Sequence, residues 1–165
     1  MARTPKQIVF DLEAQLAARE GVEKLARAVK STLGPIGSNA VIDRGWGEPI
    51  ITKDGARVAE EVDLVNPFEN MAVKLVREAA EKTSNEAGDG STTATVLAES
   101  IYLRGLQNVI GGMNPMILSR GIRRAVDQAL ESLKGLSTPV KSKDQVVHLA
   151  TVAANQDREI GERIA

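Results

Sequence analysis

Apolar residues recur at three- and four-residue steps along most of this chain, the spacing of helices that each turn one face to a core. First comes "QIVF" at 7–10, an apolar run long enough for one N-terminal strand. Leu16, Val22, Leu25, Ala26, Val29 and Leu33 then share one helical face. Gly34 can cap that helix and Pro35 cannot continue it. Gly21 costs about 1 kcal/mol relative to alanine inside a helix, which allows a break or bend there. Two β-type runs follow, "NAVID" at 39–43 and "PIIT" at 49–52, around "RGWGE", whose two glycines suit a hairpin. "KDG" at 53–55 closes the second run with a turn, because Asp-Gly tolerates positive φ.

A second helix opens where Asn66 can cap and Pro67 takes the first helical position. Phe68, Met71, Ala72, Leu75, Val76 and Ala79 give it a periodic face, and it should end near Asn85. A third helix lies within "STTATVLAESIYLRGLQNVIGG", with Leu97, Ile101 and Leu106 as core candidates and Gly111-Gly112 as its stop. A fourth is capped at Asn114-Pro115 and runs through Leu118, Ile122, Val126, Ala129, Leu130 and Leu133. "LSTPVKSKD" reads as a polar, proline-bearing linker before a fifth helix, "QVVHLATVAA". A last helix starts near Asn155 and carries Ile160 and Ile164 with no stop signal, which reads as a chain cut short.

Composition sharpens this mainly helical picture. The apolar fraction is 42% but aromatics are only 2%, so the core must be aliphatic and alanine-rich, which suits packed helices. Twenty-one basic and 22 acidic residues are mixed along the chain, leaving no electrostatic footprint for nucleic acid. There are no cysteines, which removes disulfides and thiolate metal sites and fits a reducing compartment. No stretch approaches the roughly 20 apolar residues of a membrane span, and the start has no apolar signal core. The chain therefore reads as cytoplasmic, with neither nucleic acid nor membrane as partner.

The chemistry concentrates in "EAGDGSTTATVL" at 86–97. Gly88 and Gly90 let successive N–H groups turn inward as an anion nest, and the following helix aims its unpaired amides and positive dipole end at the same spot. Ser91, Thr92 and Thr93 add hydroxyls. Asp89 would repel phosphate there unless Mg²⁺ lay between them, so Asp89 is the candidate metal ligand. The motif is not a Walker A, which needs a lysine before its hydroxyl, nor a dinucleotide fingerprint, nor an EF-hand. On local chemistry alone, a simple helix cap remains the plainer alternative. "TLGPIG" at 32–37 could let bare backbone approach a ligand closely, but taken alone a C-cap and loop is the plainer reading. In "TKDG", Asp54 could polarise a water, but taken alone a hairpin turn is the plainer reading still.

Taken together, these turns are distinctive. "TLGPIGSNAVID", "ITKDG", "FENMAVKLVREAA", "AGDGSTTATVLAE", "GMNPMILSRGI" and "TVAANQD" occur in the order and near the spacing of a group I chaperonin of the GroEL type. The resemblance runs from "IVF" to the final residues. It implies a mainly α fold: an equatorial-domain helical bundle with a small β-hairpin and N-terminal strand over residues 1–136, then the start of an intermediate domain over 137–165. It also implies an ATPase that folds polypeptides inside stacked rings of identical subunits, with a co-chaperonin cap. Carried over by position, its nucleotide contacts fall on Thr32, Leu33, Gly34, Pro35, Lys53, Asp89, Gly90, Ser91, Thr92 and Thr93. Asp89 falls on the Mg²⁺ ligand, Asp54 on an aspartate near the terminal phosphate, and carbonyls around Thr32 and Lys53 on a K⁺ site. Positioning and electrostatics would do most of such phosphoryl transfer to water.

Some positions depart from the family pattern. Ser91 replaces the common threonine and keeps the hydroxyl. Ile36 and Ser38 replace a basic pair, removing two positive charges beside the first turn. Trp46 sits at the hairpin tip, where it is expected to pack on a neighbouring subunit. His148, on an apolar helix and without metal-ligating companions, reads as a core-edge residue. The resemblance ends before the apical domain that grips clients and before the returning half of the equatorial domain, so this part alone should bind ATP weakly. The alternative, from another class, is a truncated non-catalytic paralogue acting as a subunit-interaction module.

Overall fold

The structure is a computed structural model that describes residues 5–34, 36–154 and 156–165. It divides into two units, one reaching to Asn114 and one from Pro115.

The first unit is built on helix α1 (Asp11–Lys30), a hairpin of β1 (Ala40–Ile42) and β2 (Ile50–Thr52), and helices α2 (Gly55–Glu61), α3 (Pro67–Ala87) and α4 (Ser91–Ile110). Its core is small and aliphatic, as the low aromatic content requires. Val22, Leu25 and Val29 of α1 meet Val58 and Ala59 of α2 and Ala72, Val73, Val76 and Ala80 of α3. Gly21 neither breaks nor bends a boundary into α1, which runs unbroken through it. A Cβ there would overlap the carbonyl oxygen of Glu69, so glycine lets α1 and α3 cross at backbone contact.

The strands pair antiparallel with Val41 opposite Ile51, and both of these side chains face solvent. Ile8 to Phe10, expected as an N-terminal strand, form no strand among the described residues. A strand needs an edge to pair with, and the hairpin is the one described sheet.

Helix α2 was not expected. Instead of a simple turn, Asp54 is an N-cap whose Oδ1 accepts from Ala56 N at 3.0 Å, and one helical face of Ala56, Val58 and Ala59 is buried. The start of α3 is as the sequence implies, with Asn66 Oδ1 accepting from Phe68 N at 2.9 Å and Pro67 next. It ends two residues beyond Asn85, where Gly88 takes φ 74° and donates to Ser84 O.

Several expected core residues are outside. Met71, Leu75 and Ala79 on α3 and Leu97 and Ile101 on α4 are exposed, whereas Val73 and Ala80 are buried. Both helices carry small or apolar residues on more than one side, and periodicity does not say which side meets α1.

In the second unit, α5 (Pro115–Leu136) buries none of its residues: Leu118 and Ile122 are half-buried and Val126, Ala129, Leu130 and Leu133 exposed. Helix α6 (Lys143–Ala153) opens with a reciprocal cap between Ser142 and Gln145 and packs on α7 (Arg158–Ile164). Their contact centres on Ala150 and Gly161, where a Cβ on the glycine would overlap Thr151 Oγ1. His148 is exposed rather than at a core edge, because α6 buries only Ala150. Helix α7 starts after Asp157, whose Oδ1 accepts from Ile160 N; the expected start at Asn155 lies outside the described residues.

Candidate functional site

The glycine-flanked aspartate at 88–90 does not behave as a helix cap. Gly88 (φ 74°) and Gly90 (φ 87°) are both left-handed, a conformation glycine adopts without strain. The N-cap of α4 is Gly90, and no side chain caps the helix. The carboxylate of Asp89 bonds only locally, its Oδ1 accepting from Gly90 N at 2.6 Å, and it stays exposed. The first intrahelical bond runs from Ala94 N to Gly90 O at 2.8 Å, so the amides of Ser91, Thr92 and Thr93 stand ahead of it. An uncapped helix start with an exposed carboxylate beside it is what an anion bridged by a cation needs.

The start of α2 and the last turn of α1 meet the start of α4. A Cβ on Gly55 would overlap Thr92 Oγ1, and Val29 Cγ1 lies 3.3 Å from the same point. Thus the end of α1, the start of α2 and the start of α4 share one contact. Three residues beyond Val29, Thr32 is buried and its hydroxyl donates to Val29 O at 2.8 Å. Gly34 follows at φ 74°, and the turn closes through Gly37 N to Gly34 O and Ser38 N to Ser31 O. A side chain at Gly37 would strike Thr32 O, so this turn also depends on bare backbone.

Leu33 is exposed, and Pro35 lies outside the described residues. Lys53 is half-buried and Asp54 exposed, with Asp54 N donating to Thr52 Oγ1 at 3.1 Å. Ser91 is buried, Thr92 half-buried and Thr93 exposed. Thr92, carried over as a nucleotide contact, also has a structural task against Gly55. Gly55 was missed as a site residue, because its importance comes from a tertiary approach that no local pattern records.

Among the described residues no group of three or more His, Cys, Asp or Glu could hold a metal by itself. A single carboxylate beside a phosphate seat is the donor set Mg²⁺ uses, since the ion takes its other ligands from phosphate and water. The residues present fit that ion. An open hollow of about 470 Å³ in the first unit lies elsewhere, lined by Leu12, Leu16 and Phe68 with Glu13, Glu20 and Glu69. It contains none of the three turns.

The hairpin is tied to the far end of α2, at its last residue. Arg44 forks onto Glu61, with Nε donating to Oε2 at 3.3 Å and Nη2 to Oε1. That hydrogen bond, with the charges of Arg44, Arg57 and Arg77, holds the Glu61 carboxyl below its ordinary value despite partial desolvation. Trp46, at the hairpin's far end, is 76% exposed.

With this geometry in hand, the sequence profile of the TCP-1/cpn60 chaperonin family matches residues 25–165. The chain belongs to that family. Among relatives of this chaperonin chain, Chaperonin GroEL 1 of Rhodopirellula baltica is 54% identical over 162 residues, which cover 97% of this chain and 28% of the relative. Among solved structures, a group III chaperonin in the open state superposes with a TM-score of 0.76 at 28% identity, over 90% of this chain and 30% of that one. The chaperonin gp146 from bacteriophage EL 2 (Pseudomonas aeruginosa), solved in the presence of ATP-BeFx, gives 0.80 at 25% identity over 94% and 28%. The chain therefore spans under a third of the length of these relatives. Their likeness agrees with the mainly helical fold and its single described hairpin. No described helix is long and apolar enough to cross a membrane.

Proposed function

We propose that this chain supplies ATP-binding and ATP-hydrolysing elements of a chaperonin subunit that assists the folding of other polypeptides. The observation that carries the reading is the uncapped start of α4 behind Gly88-Asp89-Gly90, held against the start of α2 and the last turn of α1 through Gly55. The solved gp146 relative, studied with an ATP analogue, supports it.

In this reading the amides of Ser91, Thr92 and Thr93 and the hydroxyl of Ser91 bind phosphate oxygens, and the 32–35 turn covers them with backbone. Mg²⁺ held by Asp89 would supply positive charge against the phosphates, and K⁺ would sit among carbonyls around Thr32 and Lys53. Asp54 orients the attacking water: one carboxylate oxygen is fixed by Ala56 N, which leaves the other to accept a hydrogen bond. Lys53 contributes its main chain.

Residues 1–136 form part of an equatorial domain and 137–165 the beginning of an intermediate domain. The subunit works in the cytoplasm within stacked rings of identical copies, with a co-chaperonin cap and unfolded polypeptides as partners. The exposed Val41, Ile51 and Trp46 of the hairpin favour a contact with a neighbouring subunit. That role also belongs to the alternative, a non-catalytic interaction module.

Phosphate release from ATP by the protein as its gene encodes it separates the two readings. ATPase action predicts turnover that requires Mg²⁺ and falls about 100-fold in Asp54→Asn. Turnover indifferent to Asp54→Asn would contradict the assignment.

A further inference from the structure

On α4 the three buried residues are all polar: Ser91, Thr95 and Glu99, at four-residue steps on one face. Thr95 satisfies itself by donating to Ser91 O at 3.0 Å. Glu99 is only 9% exposed, and its Oε2 pairs with Nζ of Lys30, the last residue of α1. A carboxylate with so little access to water is costly unless a cation answers it, and through the half-exposed Lys30 the pair ties α4 to the end of α1. Each partner is also joined rigidly to one side of the candidate site. Lys30 is two residues before Thr32 in the first turn, and Glu99 is two helical turns along the stripe that begins with Ser91.

Resting on the nucleotide reading above, we propose that Lys30 and Glu99 are positioning residues that set the separation of the 32–34 turn from the α4 start, and thereby the affinity for ATP. Neither touches the phosphates. Apolar contact alone would hold the two helices together without fixing their register, because the face of α4 that carries the pair is polar over its first two turns. The ion pair adds a directed contact between the two helices, beyond the packing of Ala98 and Tyr102 on the core.

The test is steady-state MgATP hydrolysis by the protein as its gene encodes it, in Glu99→Gln, Lys30→Met and the exchanged pair Lys30→Glu with Glu99→Lys. Glu99→Gln keeps the shape and removes the charge, so it stays informative if Lys30→Met fails to fold. The expectation is a KM raised roughly tenfold in the single variants, with kcat within about twofold, and a KM largely restored in the exchanged pair. A purely structural role would lower the melting temperature and leave KM unmoved. An unchanged KM in folded Glu99→Gln, or a raised KM that the exchange does not restore, overturns the proposal. Absence of ATP turnover in the unchanged protein would instead overturn the nucleotide reading itself.

Discussion

Thr92 Oγ1 occupies the space that a side chain on Gly55 would need. The start of α2 can approach the start of α4 this closely only because position 55 is bare. Gly55→Ala must displace Thr92 or part the two helices, and overpacking of this kind costs about 1–3 kcal/mol. Urea unfolding measures the cost, and adding Thr92→Ala should recover part of it, since the hydroxyl makes the closest approach. MgATP affinity should fall with the single change.

Gly21→Ala separates propensity from packing. Helix propensity alone predicts a gain of about 1 kcal/mol. The carbonyl of Glu69 lies where the new methyl would go, and it is backbone that cannot swing aside. The expected result is therefore a loss of about 1–3 kcal/mol in chemical denaturation. A stabilised variant would show that α1 and α3 do not cross at that glycine.

Asp54 caps α2, and substitution can divide that task from the proposed orientation of water. As N-cap of α2 it accepts from Ala56 N, a role asparagine performs equally well. Asp54→Asn should keep the melting temperature while phosphate release collapses. Asp54→Ala should in addition lose about 1 kcal/mol of stability with the cap.

The legibility of these features in the sequence was uneven for physical reasons. Helices α1, α3 and α4 announce themselves by period, and α4 also by its stop at Gly111, whereas α1 ends at Lys30 with Ser31 as its cap, ahead of the expected stop at Gly34. The seven-residue α2 does not, because its Asp-Gly start reads equally well as a turn. The buried stripe of Ser91, Thr95 and Glu99 is invisible to a search for apolar periodicity, which selected Leu97 and Ile101 on another side of the same helix. For the site, the glycines around Asp89 were readable as a place for positive φ. The contact of Gly55 with Thr92 joins residues far apart in the chain and leaves no local trace.

The Arg44–Glu61 fork makes a pH prediction. Hydrogen bonding from Arg44 leads the causes that hold the Glu61 carboxyl below its ordinary value of 4.5. A depressed folded value means the pair's contribution is fully present above about pH 4.5 and is lost as pH falls through the lower folded value. Urea midpoints of the unchanged protein and Glu61→Gln, followed from about pH 6 to about pH 3, should converge toward the acid end. A constant difference would show that the fork does not couple to folding.

The central claim is that Asp89 places a divalent cation between itself and a phosphate chain at the α4 start. The most direct measurement is calorimetric binding of ATP with and without Mg²⁺, to the unchanged protein and to Asp89→Ala. The account predicts that Mg²⁺ tightens ATP binding about tenfold or more in the unchanged protein and by less than about twofold in the variant. An equal gain from Mg²⁺ in both proteins would contradict it.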